Sequence, residues 1–183
     1  MDVAEAGTCQ IVALQGAASA VIQELLGEFA LRLADAGLRV SGVIESSADK
    51  AKPCKAMVLR NLDDERLFSI SQDLGPGSQA CNLDPEGLVL ACAAVQQSIA
   101  RGTDVVILSK FGKQEAAAGL PIITAVSPAM MVAWSNFAGP FAACVPAEIA
   151  RGPGWIEAWS GRMVTARSAR DMIGSPRERI GLG

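Results

Sequence analysis

The stretch Cys9-Gln10-Ile11-Val12-Ala13-Leu14-Gln15-Gly16-Ala17-Ala18-Ser19 decides the fold. Cys9 to Gln15 is a compact apolar run rather than an alternating one, so it reads as a central strand buried on both faces. Gly16 to Ser19 turns the chain, and Ile22, Leu25, Leu26, Phe29 and Leu33 then recur at helical spacing. Gln23, Glu24, Glu28, Arg32 and Asp35 fall on the other face, and Gly37 stops the helix. Arg39 to Glu45 returns as a second strand. Strand, helix and strand in this order make a βαβ unit, for which a right-handed crossover and a parallel pair are expected.

Working outward, Lys55–Arg60 and Arg66–Ser71 read as short strands around the polar turn Asn61-Leu62-Asp63-Asp64-Glu65, an antiparallel insertion on one sheet edge. Asp84-Pro85-Glu86 supplies an N-cap, a proline at the first helical position and an acid in the first turn. Leu88, Cys92, Val95 and Ile99 continue that helix to Arg101-Gly102. Asp104–Leu108 and Pro121–Val126 are buried strands, and Ser127-Pro128 opens a helix carrying Met130, Trp134 and Phe137. Ala116 to Ala147 contains no charge, yet Pro121, Pro128, Pro140 and Pro146 cut it into strand and helix lengths, so no membrane span is expected. The pattern predicts an α/β fold: a mainly parallel sheet between two helix layers, with an antiparallel hairpin at one edge.

Composition narrows the function. With 183 residues, 50% hydrophobic, 19% charged and net charge −3, the chain suits one α/β domain, drawn over residues 1–159. Residues 160–183 hold Arg162, Arg167, Arg170, Arg177 and Arg179 against Asp171 and Glu178, and read as a mobile or partner-docked extension. The mild acidity argues against nucleic-acid binding, which wants a basic surface. The chain has no histidine, which removes Ser-His and Cys-His nucleophiles, imidazole acid–base chemistry and His-containing zinc sites. The five cysteines are scattered, as expected of free thiols in a reducing cytoplasm, and Met1-Asp2-Val3-Ala4-Glu5 lacks the features of a signal peptide. The expected location is cytoplasmic; the expected partners are a small anionic ligand and a protein partner or a second copy.

In an open α/β sheet the ligand crevice lies at the carboxyl ends of the strands. Three loops meet that condition. The first is Gly16-Ala17-Ala18-Ser19, where backbone N–H groups at a helix start favour an anion. Matched to the phosphate-loop pattern G-x-x-x-x-G-K-[ST] from Gly16, the chain has Val21 at the second glycine, Ile22 at the lysine and Gln23 at the hydroxyl. The second follows Val105–Leu108, where Ser109-Lys110-Phe111-Gly112-Lys113 stands in place of a magnesium-positioning aspartate; Lys110 and Lys113 would hold an oxyanion as point charges. The third is Ser71-Gln72-Asp73-Leu74-Gly75-Pro76-Gly77-Ser78, from which Gln72, Asp73 and Ser78 are binding candidates and Asp73 the one catalytic candidate. No metal ligand set is apparent. Small residues at Gly16–Ser19 equally suit a tight packing turn, and both lysines equally suit a solvated surface.

The segments Ile70 to Ser78, Cys81-Asn82-Leu83-Asp84-Pro85 and Lys110-Phe111-Gly112-Lys113-Gln114-Glu115 resemble an uncharacterised bacterial family, the domain of unknown function 2478, over roughly Cys9 to Gly139. The resemblance implies a build like that of P-loop nucleoside triphosphatases and an association of some members with molybdate-handling genes. Members carry a full helix between the Lys-Phe-Gly-Lys motif and the next strand. Here only Gln114 to Leu120 separates Lys113 from Pro121, so the crossover is truncated, the two strands are not parallel neighbours, or a stretch is absent. Two functions follow: a non-hydrolysing module for a nucleotide, phosphate or other oxyanion, or a metal-dependent NTPase or phosphotransferase using Lys110 or Lys113 and Asp73. A protein-interaction domain without a small ligand is the third.

Overall fold

The computed structural model describes residues 11–46, 57–72, 82–109, 121–138 and 142–173. Nine strands are present among them: β1 (Ile11–Gln15), β2 (Val40–Ser46), β3 (Val58–Asn61), β4 (Leu67–Ser69), β5 (Ser71–Gln72), β6 (Asn82–Leu83), β7 (Val105–Leu108), β8 (Ile122–Ala125) and β9 (Ala142–Pro146). The helices are α1 (Ser19–Asp35), α2 (Pro85–Arg101), α3 (Met131–Ala138), α4 (Ala147–Arg151) and α5 (Trp155–Ile173), with a 3-10 turn at Pro128–Met130.

Seven strands form one sheet in the order β4-β3-β2-β7-β8-β1-β9. The five from β2 to β9 are parallel, and β3 and β4 extend the β2 edge as the expected antiparallel hairpin. β5 and β6 pair separately as a short antiparallel ladder. β1 and β2 run parallel in this sheet without being neighbours, because β7 and β8 lie between them. β1 instead receives β8 on one side and β9 on the other, and Val12, Ala13 and Leu14 lose all contact with water. That double burial explains the unbroken apolar run. β7 and β8 are parallel neighbours, which rules out one of the three readings of the short crossover; residues 110–120 lie outside the described residues.

Period-two alternation sends side chains of the same strand to opposite layers. Val12, Leu14, Val105, Ile107 and Ile123 face α1, α4 and α5, while Val43, Val106, Leu108 and Ile122 face α2, and Ala13 packs with Val126 and Trp134 of α3. Helices therefore cover both faces, giving three layers. Gly42 of β2 adopts φ +133 beside β7, where a Cβ would overlap the Ile107 carbonyl oxygen. Asp84 caps α2 as its sequence indicates, its side chain accepting from the Glu86 N–H at 3.1 Å.

The division drawn between residues 159 and 160 falls inside α5, which runs on to Ile173. Trp155, Ile156, Trp159 and Met163 recur at helical spacing and are buried in the core, which commits Arg162 among them, and Arg167 and Arg170 beyond, to the same helix. Arg167 fastens this helix to the rest of the domain, donating to the Gly37 carbonyl at 2.8 Å and to Asp104 at 3.2 Å. Asp104, almost wholly buried at the amino end of β7, also accepts from the Arg39 backbone N–H and guanidinium at 2.9 and 3.1 Å. Burial alone would raise the Asp104 carboxyl's pKa. The hydrogen bonds from Arg39 and the charges of Arg39 and Arg167 outweigh it and hold the pKa below the ordinary value.

A depressed folded-state pKa contributes stability above the ordinary carboxylate range, and that stability is lost as the pH falls through the folded value. Asp104→Asn should therefore cost about 1.5–3 kcal/mol at neutral pH and flatten the decline of stability in acid. Urea unfolding across an acid pH series checks both; a variant curve parallel to the wild type would remove Asp104 from the acid response.

Candidate functional site

The sheet places its carboxyl ends together, and there a cleft of about 930 Å³ opens between the turn after β1, the end of β7 and the segment after β8. The near wall is Gly16-Ala17-Ala18-Ser19. Gly16 has φ +83, left-handed backbone that favours glycine, although a Cβ there would meet open space. The turn delivers the chain into α1 with Ala18 at the N-cap, so no side chain caps the helix, and its first turn carries no acid. Ile22 N–H closes the first helical bond to the Ala18 carbonyl at 3.1 Å, which leaves the amides of Ser19, Ala20 and Val21 without an intrahelical acceptor, and of these three residues Ser19 lines the cleft.

The floor explains what became of the phosphate-loop positions. Ile22, at the lysine position, turns into the core beside Leu14 and Phe29 and is 6% exposed, so α1 offers no cation there. Gln23, at the hydroxyl position, is 7% exposed with both ends of its carboxamide engaged. Its Nε2 donates to the Ser109 carbonyl at 3.0 Å and its Oε1 accepts from the Glu45 N–H at 2.8 Å. One side chain of α1 thus joins the tips of β2 and β7. Ser109 is itself buried where a metal-positioning acid would stand, and its N–H donates to the Val43 carbonyl at 2.8 Å. Ser19 is exposed and donates to Glu45 Oε2 at 3.5 Å.

The far wall, Ala125, Val126, Ser127, Pro128 and Met130, was not singled out from the sequence. The signal was available, since a buried strand ending at Ser127-Pro128 puts that loop at the same sheet edge as Gly16. All the lining residues described are uncharged, and the polar groups among them are Ser19, Gln23, Ser109, Ser127 and backbone. Of the other candidates, Gln72 pairs through its backbone with Asn82 in the β5–β6 ladder. Asp73, Ser78, Lys110 and Lys113 lie outside the described residues, though Lys110 follows Ser109 directly in the chain.

The Gln23 bridge makes a definite expectation. Gln23→Leu keeps the volume but strands the Glu45 N–H and the Ser109 carbonyl, and should cost about 1–3 kcal/mol. Denaturant unfolding of the variant measures this; an unchanged midpoint would mean that water replaces the carboxamide without loss.

Comparison with known proteins agrees with this build. Over residues 11–155 the chain matches the family described as protein of unknown function (DUF2478). It is 32% identical over 187 aligned positions to the molybdenum import ATP-binding protein ModC 2 of Bradyrhizobium diazoefficiens, covering 94% of this chain and 21% of that protein. The chain thus spans about a fifth of the length of that curated relative. Among solved structures, the solution structure of a human cancer-related nucleoside triphosphatase superposes with a TM-score of 0.53 at 12% identity, covering 87% of this chain and 97% of that one. At that identity the likeness is one of fold, and it is the P-loop NTPase kind of fold described above. With the match running from β1 to the start of α5, the chain belongs to the DUF2478 family.

Proposed function

We propose that this protein is a binding module that holds a nucleotide, phosphate or similar oxyanion at the Gly16 cleft without hydrolysing it. The carrying observation is the pairing of an uncapped α1 N-terminus, open to the cleft, with a lysine position filled by buried Ile22 and a hydroxyl position filled by the engaged Gln23. Backbone amides and the positive end of a helix attract an anion without a metal. A cleft of about 930 Å³ falls within the range of small-molecule sites and has room for a nucleotide. Lys110, next in the chain after Ser109, supplies positive charge to the same ligand in this reading. The similarity to a segment of a molybdenum import ATP-binding protein puts molybdate among the oxyanions to be tried.

The test is thermal unfolding with ATP, GTP, phosphate, sulfate and molybdate, each with and without magnesium. A ligand at a hundred times its dissociation constant adds about 2.7 kcal/mol, which for a chain of this size raises the midpoint by several degrees. The shift should survive chelation of magnesium. Ala18→Asp sharpens the result, because an aspartate N-cap stabilises the helix by about 0.5–2 kcal/mol while its charge expels an anion. The variant should be more stable alone and unresponsive to the ligand. A shift that persists in Ala18→Asp, or turnover that requires magnesium, would overturn the reading.

A further inference from the structure

The outward face of α2 is not built like a solvent face. Its inner side, with Ala91, Ala94, Val95 and Ser98, is buried toward β2, β3 and β4. On the outer side Val89 is 65% and Leu90 55% exposed, and Leu83, just before the cap, is 50% exposed. From Gly87 to Ala100 there is no charged residue. The same chain treats α1 differently, placing Glu24, Glu28, Arg32 and Asp35 on its exposed face. Depletion of charge together with exposed aliphatic side chains marks the centre of an interface rather than a wet surface.

We propose that two copies of this chain meet through this face, α2 packing antiparallel on α2 about a twofold axis. An interface of a surface with itself must be self-complementary, and the charges at the ends of α2 are. Glu86 sits in its first turn and Arg101 in its last, both exposed. At 1.5 Å per residue they are about 22 Å apart. An antiparallel pair centred near Ala93 sets Glu86 of each copy against Arg101 of the other, whereas a parallel pair would oppose like charges. Arg101 already touches Asp63 within the chain, and its side chain stays 60% exposed. Glu86, Leu90, Ala93, Gln97 and Ala100 follow the spacing of one helical stripe. The small Ala93 at the crossing allows the axes to approach to about 8–10 Å, and Leu90 lies over the stem of the other copy's Gln97. One helix pair is a small interface, so a reversible dimer that depends on concentration is expected.

Sedimentation equilibrium of the full chain tests this. The wild type should dimerise reversibly, and Leu90→Glu should be monomeric at every concentration with an unchanged circular dichroism spectrum and unfolding midpoint. Glu86→Arg should weaken the dimer about tenfold through its two repelling pairs, and adding Arg101→Glu should restore it. A wild type that stays monomeric at its solubility limit, a dimer that survives Leu90→Glu, or a double variant that fails to recover would each overturn the proposal.

Discussion

A parallel sheet ends abruptly, and where its ladder stops the backbone groups at the strand tips need partners that cannot be water if the tips are covered. Gln23 meets that constraint for two strands at once, serving the N–H at the end of β2 and the carbonyl after β7. It joins α1 to both strand tips at the floor of the cleft, where the Ser109 N–H also donates to the Val43 carbonyl. A serine or threonine at this position could not span both tips with its short side chain, and a glutamate would set an anion against the Ser109 carbonyl. The residue that shapes the cleft is thus one of the three that depart from the phosphate-loop pattern.

Local periodicity makes much of this fold legible in the sequence. The apolar run of β1, the helical spacing of α1, the hairpin around Asn61 to Glu65 and the Asp84-Pro85-Glu86 start of α2 are each set by interactions within a few residues, and each is found. Sheet order is different, because it depends on which strands bury the most surface together. Nothing between Cys9 and Glu45 shows that β7 and β8 will insert between β1 and β2.

The carboxyl-terminal helix is hidden in the sequence for a related reason. Its arginines dominate the composition, but Trp155, Trp159 and Met163, spaced four apart, dominate the energetics. Phe29 of α1 stacks on Trp155 with ring centroids 5.5 Å apart, a contact invisible without the fold. The cleft is half legible. Gly16 and Ser19 stand out as a turn with donors, whereas the wall from Ala125 to Met130 is visible as an element and not as part of a site.

The anchoring of α5 fixes which pole of the sheet its last turns occupy. Arg167 fastens the helix to Gly37 and Asp104, which precede β2 and β7, so α5 descends to the amino-end pole of the sheet. The Gly16 cleft lies at the other pole. The carboxyl-terminal part of α5 therefore lies on the side away from the cleft and leaves free the route by which a solute enters.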